Sequence, residues 1–85
     1  MALKVEVVSR EHIVWVGEAK YVRARTLEGD LGILPGHVPT IALLAQDGEL
    51  LIEPLEGESM TTRLNSGFLT VSNDRVTIAA KHAQL

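Results

Sequence analysis

The sequence predicts an all-β chain, a two-layer antiparallel β-sandwich of about eight to ten short strands that forms a single domain over residues 1–85. Three observations carry that expectation. Apolar and polar residues alternate with a period of two over most of the chain. Turn residues interrupt the alternation at intervals of roughly eight to twelve positions. No segment shows a sustained 3.6-residue apolar stripe with helix caps.

The elements follow in order. Leu3, Val5 and Val7 alternate with Lys4, Glu6 and Val8, the pattern of a half-buried strand. Residues 9–12 break polar and read as a turn. Residues 13–16 are β-branched and aromatic, and Gly17 is expected to close that strand. Residues 21–26 alternate again, with Arg23 and Arg25 outward on a solvated face. A Gly/Pro-rich loop is expected at 29–39, followed by a strand over 40–45. Asp47-Gly48 between apolar runs predicts a hairpin that pairs this strand with residues 49–53. Residues 59–65 read as a polar edge strand, Asn65-Ser66-Gly67 as a turn, and residues 68–72 and 75–80 as the last two strands. Residues 81–85 have the composition to begin a helix.

Composition narrows the function. Eighty-five residues hold one small core, and a chain of that size buries only about 60–65% of its unfolded surface, so attachment to a partner would stabilise it. There is no cysteine, hence no disulfide and no thiolate metal site. A net charge of −3 without a basic stripe argues against nucleic acid. The longest apolar run, residues 41–45, is far below the roughly 20 residues of a membrane helix, and the N-terminus lacks a signal-peptide core. The expectation is a soluble, cytoplasmic chain that reaches a membrane only through another subunit.

The most informative stretch is Gly-Asp-Leu-Gly-Ile-Leu-Pro-Gly-His-Val-Pro at 29–39. Gly29, Gly32 and Gly36 free the backbone while Pro35 and Pro39 fix φ, so the loop is shaped and low in entropy. Leu31, Ile33, Leu34 and Val38 can tuck inward, leaving Asp30 and His37 to face a partner. Each also has a local alternative: His37 can bond a backbone carbonyl, and Asp30 can serve as a turn acid. Trp15 reads as core. His12, His37 and His82 lack metal-ligand spacing, and the run at 29–36 lacks the Lys-Ser/Thr of a nucleotide P-loop. No catalytic residue is expected, no metal and no cofactor. The residues point to binding rather than catalysis.

The run at 29–39 resembles the hallmark loop of the epsilon subunit of bacterial F-type ATP synthases, called delta in mitochondria. Leu3-Lys4-Val5-Glu6-Val7-Val8-Ser9 is similar to that family's first strand. Asn65-Ser66-Gly67-Phe68-Leu69-Thr70-Val71 and Asn73-Asp74-Arg75-Val76-Thr77-Ile78-Ala79-Ala80 resemble its two late strands. The resemblance spans nearly the whole chain in the expected order. It implies a central-stalk domain that binds the gamma subunit and the membrane c ring, with Asp30 and His37 as ring contacts. It also implies a peripheral place on the cytoplasmic side of the bacterial cell membrane. The role implied is structural, coupling proton-driven rotation to ATP synthesis without catalysis by this subunit.

If one face lies on gamma, that face should be an exposed apolar patch. Family members usually add a C-terminal helical pair that can inhibit hydrolysis and, in some, bind ATP. The sequence holds no such helices, so neither nucleotide binding nor helix-mediated inhibition is expected of it. Lys81 and His82 stand where small or acidic residues are usual, which leaves the handover from sandwich to helices open. Two rival readings are a free-standing β-sandwich adaptor that uses the 29–39 loop, and a small hydrolase that pairs His37 with a serine.

Overall fold

The computed structural model describes residues 2–83. Among them the chain forms seven strands and no helix: β1 (Leu3–Val8), β2 (Ile13–Thr26), β3 (Gly29–Ile33), β4 (Thr40–Leu43), β5 (Gly48–Pro54), β6 (Met60–Ser72) and β7 (Arg75–His82). The β-sandwich expectation holds, with fewer and longer strands. All pairings are antiparallel except β1–β7, which is parallel.

The reduced count has a physical reason. β2 and β6, 14 and 13 residues long, each pass from one layer to the other instead of reversing. The first half of β2 pairs β1, from Val8↔Ile13 to Leu3↔Ala19. From Ala19 onward β2 pairs β5, and from Val22 it also pairs β3. Gly17 therefore does not end a strand. It lies under the Trp15 ring, whose carbons would sit 2.7 Å from a Cβ at that position. Likewise, Asn65-Ser66-Gly67 bends β6 without turning it back. Ser66 takes φ 47°, a local kink that tilts the strand between layers.

The first layer thus runs β2 (first half), β1, β7, β6 (second half), β4; the second runs β3, β2 (second half), β5, β6 (first half). The expected hairpin at Asp47-Gly48 does not form. β4 and β5 instead run in the same direction along one edge of β6, Thr40↔Val71 to Leu43↔Phe68 and then Gly48↔Leu64 to Ile52↔Met60. The Asp-Gly pair, with Asp47 at φ 55°, carries the chain around the corner where β6 bends. Leu44 N–H donates to the Gly67 carbonyl at 2.9 Å and Asp47 N–H to Asn65 Oδ1 at 3.0 Å, so the corner keeps its hydrogen bonds.

Two further expectations are corrected. The loop at 29–39 begins as strand β3, because residues 29–33 pair β2 from Thr26↔Gly29 to Val22↔Ile33. Lys81 and His82 extend β7 rather than opening a helix, since β6 still offers a pairing edge at Asn65↔His82. Residues 84 and 85 of that expected helix lie outside the described residues.

The core is aliphatic. Leu3, Val5 and Val7 of β1 meet Val22, Ile33, Leu50 and Ile52 from the second layer and Leu69, Val71, Val76 and Ile78 from their own. Each is at most 2% exposed, and burying such a side chain contributes about 1.5–3 kcal/mol before entropy is charged against it. Trp15, expected in the core, packs against this cluster from a half-buried position at its margin. Gly67 has no room for a side chain, because a Cβ there would run into the Ala79 carbonyl and lie 2.7 Å from the Ala80 Cα. Replacing Gly67 with Ala should cost about 2 kcal/mol or more, the scale of overpacking against rigid backbone. Chemical denaturation checks it, and a wild-type midpoint would mean that β6 and β7 are not held this close.

Candidate partner-binding face and loop

The two layers present unlike outer surfaces, and the strand registers show why. Across the first layer, Leu43, Phe68, Ala79, Val8 and Ile13 are successive cross-strand partners, so one row across five strands is wholly apolar. The next row is Ile41, Thr70, Thr77, Glu6 and Val16. These side chains point away from the core: Ile41 is 80% exposed, Val16 62%, Leu43 61% and Phe68 44%. Beyond them the surface turns polar, with Lys4 beside both Glu18 and Arg75. A contiguous apolar band with a charged margin marks an interaction surface rather than scattered exposed side chains.

The outer face of the second layer is a charge ladder. Arg25 and Asp30 are cross-strand partners, with Nη1 and Oδ1 3.4 Å apart. Arg23 Nη2 donates to Glu49 Oε1 at 3.2 Å, and Arg63 lies 3.9 Å from Asp47 Oδ2. Acid and base alternate across the strands, and every pair is about half exposed or more. Such pairs contribute roughly 0–1 kcal/mol each and keep this face in water. Arg23 and Arg25 therefore do form a solvated strand face.

After β3 the chain makes a tight turn. His37 N–H donates to the Leu34 carbonyl at 3.1 Å, with Pro35 and Gly36 between them and Gly36 at φ 90°, which is a type II turn. Gly36 N–H donates to Asp74 Oδ1 at 2.7 Å, tying the loop to the β6–β7 turn. The Val38 carbonyl accepts from His37 Nδ1 at 2.8 Å and from Thr40 Oγ1 at 2.9 Å. Since that carbonyl can only accept, the neutral imidazole carries its proton on Nδ1 and offers Nε2 as an acceptor. The loop is shaped as its sequence implies, but its apolar residues divide. Ile33 is buried and Leu31 half-buried, whereas Leu34 and Val38 face outward.

Asp30 and His37 do not converge. Asp30 lines an open groove of about 530 Å³ between the edge strands β3 and β4, with Leu27, Glu28, Ile41 and Leu43. His37 lines a separate depression of about 360 Å³ with Tyr21, Gly32 and Leu34. The length of β3 and the following turn lies between them. The local alternative is present for His37, which bonds a backbone carbonyl, whereas Asp30 pairs the cross-strand Arg25. Among the described residues no three metal-ligating side chains gather.

Sequence reasoning missed the apolar band. One signal was present: Ile41-Ala42-Leu43-Leu44 is apolar at both parities, which in a strand means that both faces are meant to be covered. Residues 13–16 carry the same signal, being apolar at both parities, whereas Phe68 is a single outward apolar residue and only the register aligns it with the others.

A family model described as the beta-sandwich domain of the ATP synthase delta/epsilon chain matches residues 2–85. The chain is 47% identical over 83 residues to the ATP synthase epsilon chain of Micrococcus luteus, covering 98% of this chain and 90% of that one. It is 42% identical over 81 residues to the epsilon chain of Corynebacterium diphtheriae, covering 95% of this chain and 66% of that one. It therefore spans nearly all of the first relative and just under two thirds of the second. Its fold is also that of a chain in the cryo-EM structure of the Euglena gracilis mitochondrial ATP synthase (OSCP/F1/c-ring, rotational state 1). The TM-score is 0.88 at 23% identity, over 95% of this chain and 51% of that one. With the strand order, the loop motif and these matches in agreement, the chain belongs to the ATP synthase delta/epsilon family, matched through its beta-sandwich domain.

Proposed function

We propose that this chain is a central-stalk epsilon subunit of an F-type ATP synthase. In this reading it is a non-catalytic rotor part that lies peripherally on the cytoplasmic side of a bacterial membrane and joins the gamma subunit to the c ring. The observation that carries the reading is the contrast between its two outer faces. The apolar band of Ile41, Leu43, Phe68 and Val16 is the face for gamma, and the charge ladder of the second layer faces water except at its Asp30 end.

The physics fits a mechanical role. Apolar burial supplies a tight, non-directional grip, while charged groups at the margin set register and suppress wrong partners. A ladder that closes through β1, β7, β6, β5 and β2 resists shear, as a body carrying torque must. Asp30 and His37 are the proposed ring contacts. The Arg25–Asp30 pair is long and exposed, so Asp30 can exchange it for a cationic or amide donor at little cost. His37 offers Nε2 between the outward Leu34 and Val38. Because the two groups stand apart, each should engage a different part of the rotor surface.

Two outcomes test this. Leu43→Asp or Phe68→Asp should leave the chain folded and weaken binding to purified cognate gamma by about thirtyfold or more, the scale of an interface hot spot. Arg63→Glu on the opposite face should change it less than threefold, on the order of an exposed charge. The reverse ranking would assign gamma to the charged face. Asp30→Ala and His37→Ala, made singly and together, should weaken attachment to isolated c rings while folding stability moves by no more than about 1 kcal/mol. Unchanged attachment in the double variant would leave both groups with local roles alone.

A further inference from the structure

The β6–β7 turn breaks a local rule. Ser72 and Arg75 are cross-strand partners, so Asn73 and Asp74 form a two-residue hairpin loop. Both take positive φ, 51° and 60°, the type I′ geometry. That geometry favours Asn at the first position and Gly at the second. Asn73 obeys, but Asp74 places a Cβ in the left-handed region where glycine would cost less. A residue that sits against its backbone preference is expected to have a side chain with another use.

Asp74 has one. Its Oδ1 accepts the Gly36 N–H at 2.7 Å, a bond that spans 38 positions in sequence. Gly36 is the third residue of the type II turn, and the turn's own hydrogen bond is made by His37 N–H to the Leu34 carbonyl. The Gly36 N–H therefore takes its partner from outside the turn. The Asp74 carbonyl in turn accepts Lys4 N–H at 2.8 Å, where the parallel β1–β7 pairing begins. The backbone of Asp74 is thus fixed to the body of the sandwich, and its side chain reaches out to the loop.

We propose that Asp74 is a positioning residue, a latch that fixes the 34–39 loop to the first layer and so sets how Leu34, His37 and Val38 are presented. Its bearing on partner binding rests on the ring-contact reading above. The latch itself rests on the Asp74–Gly36 bond and the unfavourable turn conformation. A merely structural turn residue would be improved by glycine; a latch would be lost.

Asp74→Gly separates the two. It keeps the carbonyl bonded to Lys4, relieves the positive φ and removes only the carboxylate. Asp74→Asn removes the charge but keeps an Oδ1 acceptor and tolerates the turn. The thermal midpoint of Asp74→Gly should equal or exceed that of the wild type. Its Gly36 amide should exchange with solvent about tenfold faster, and its affinity for isolated c rings should fall about tenfold. Asp74→Asn should stay within about threefold of the wild type in both readouts.

Unchanged Gly36 exchange in Asp74→Gly would overturn the latch. So would faster exchange with undiminished ring affinity, since the loop would then need no positioning. If the wild-type chain itself fails to bind the ring, the functional reading falls. Gly36 exchange in the variants then decides the latch alone, supporting it if accelerated in Asp74→Gly and restored in Asp74→Asn.

Discussion

Two strands belong to both layers, and the molecule depends on their bends. β2 changes partners at Ala19, from β1 to β5, and β6 changes at Ser66 and Gly67, from β5 to β4 and β7. The ladder continues through both corners, so each strand keeps a pairing partner where the layers join. An 85-residue chain without cysteine has little core to spend on loose connections. The close approach of Gly67 to the β7 backbone is what allows the second corner.

The same bends decide what the surface offers. They set the register that aligns Leu43, Phe68, Ala79, Val8 and Ile13 in one row, and they leave Arg23, Arg25, Asp30, Glu49 and Arg63 on the other layer. A slip of one position in any strand would exchange inner and outer sets. One layer thus presents an apolar outer surface and the other a charged one. The loop after β3 stands at the end of this arrangement. Three contacts shape it: a Pro-Gly turn, the His37–Val38 bond and the bond from Gly36 N–H to the Asp74 carboxylate.

Much of this was legible in the residues. Period-two alternation located the strands, and the motifs at 3–9, 29–39 and 65–80 pointed to the family. What was not legible has a common cause. Gly17 and Asn65-Ser66-Gly67 look like turns locally, but whether a chain reverses or merely bends there depends on partners far away in sequence. Asp47 took a positive φ, but Gly48 opened β5 and no hairpin formed, because β6 offered both flanking strands a longer edge. The apolar band was hidden for the same reason, since only long-range register places Phe68 beside Leu43. Leu34 and Val38 were expected inside on hydrophobicity alone, and the tight turn that carries them has no inside to offer.

The most direct test of the central claim, that the apolar layer is the docking face, is side-chain footprinting of the chain alone and bound to purified gamma. In the free chain Ile41, Leu43, Phe68 and Val16 should label readily, as should Leu51 and Tyr21 on the charged layer. In the complex the first four should become protected while Leu51 and Tyr21 keep their labelling. Protection of Leu51 and Tyr21 with Ile41 and Phe68 still open would contradict the account and make the charge ladder the interface.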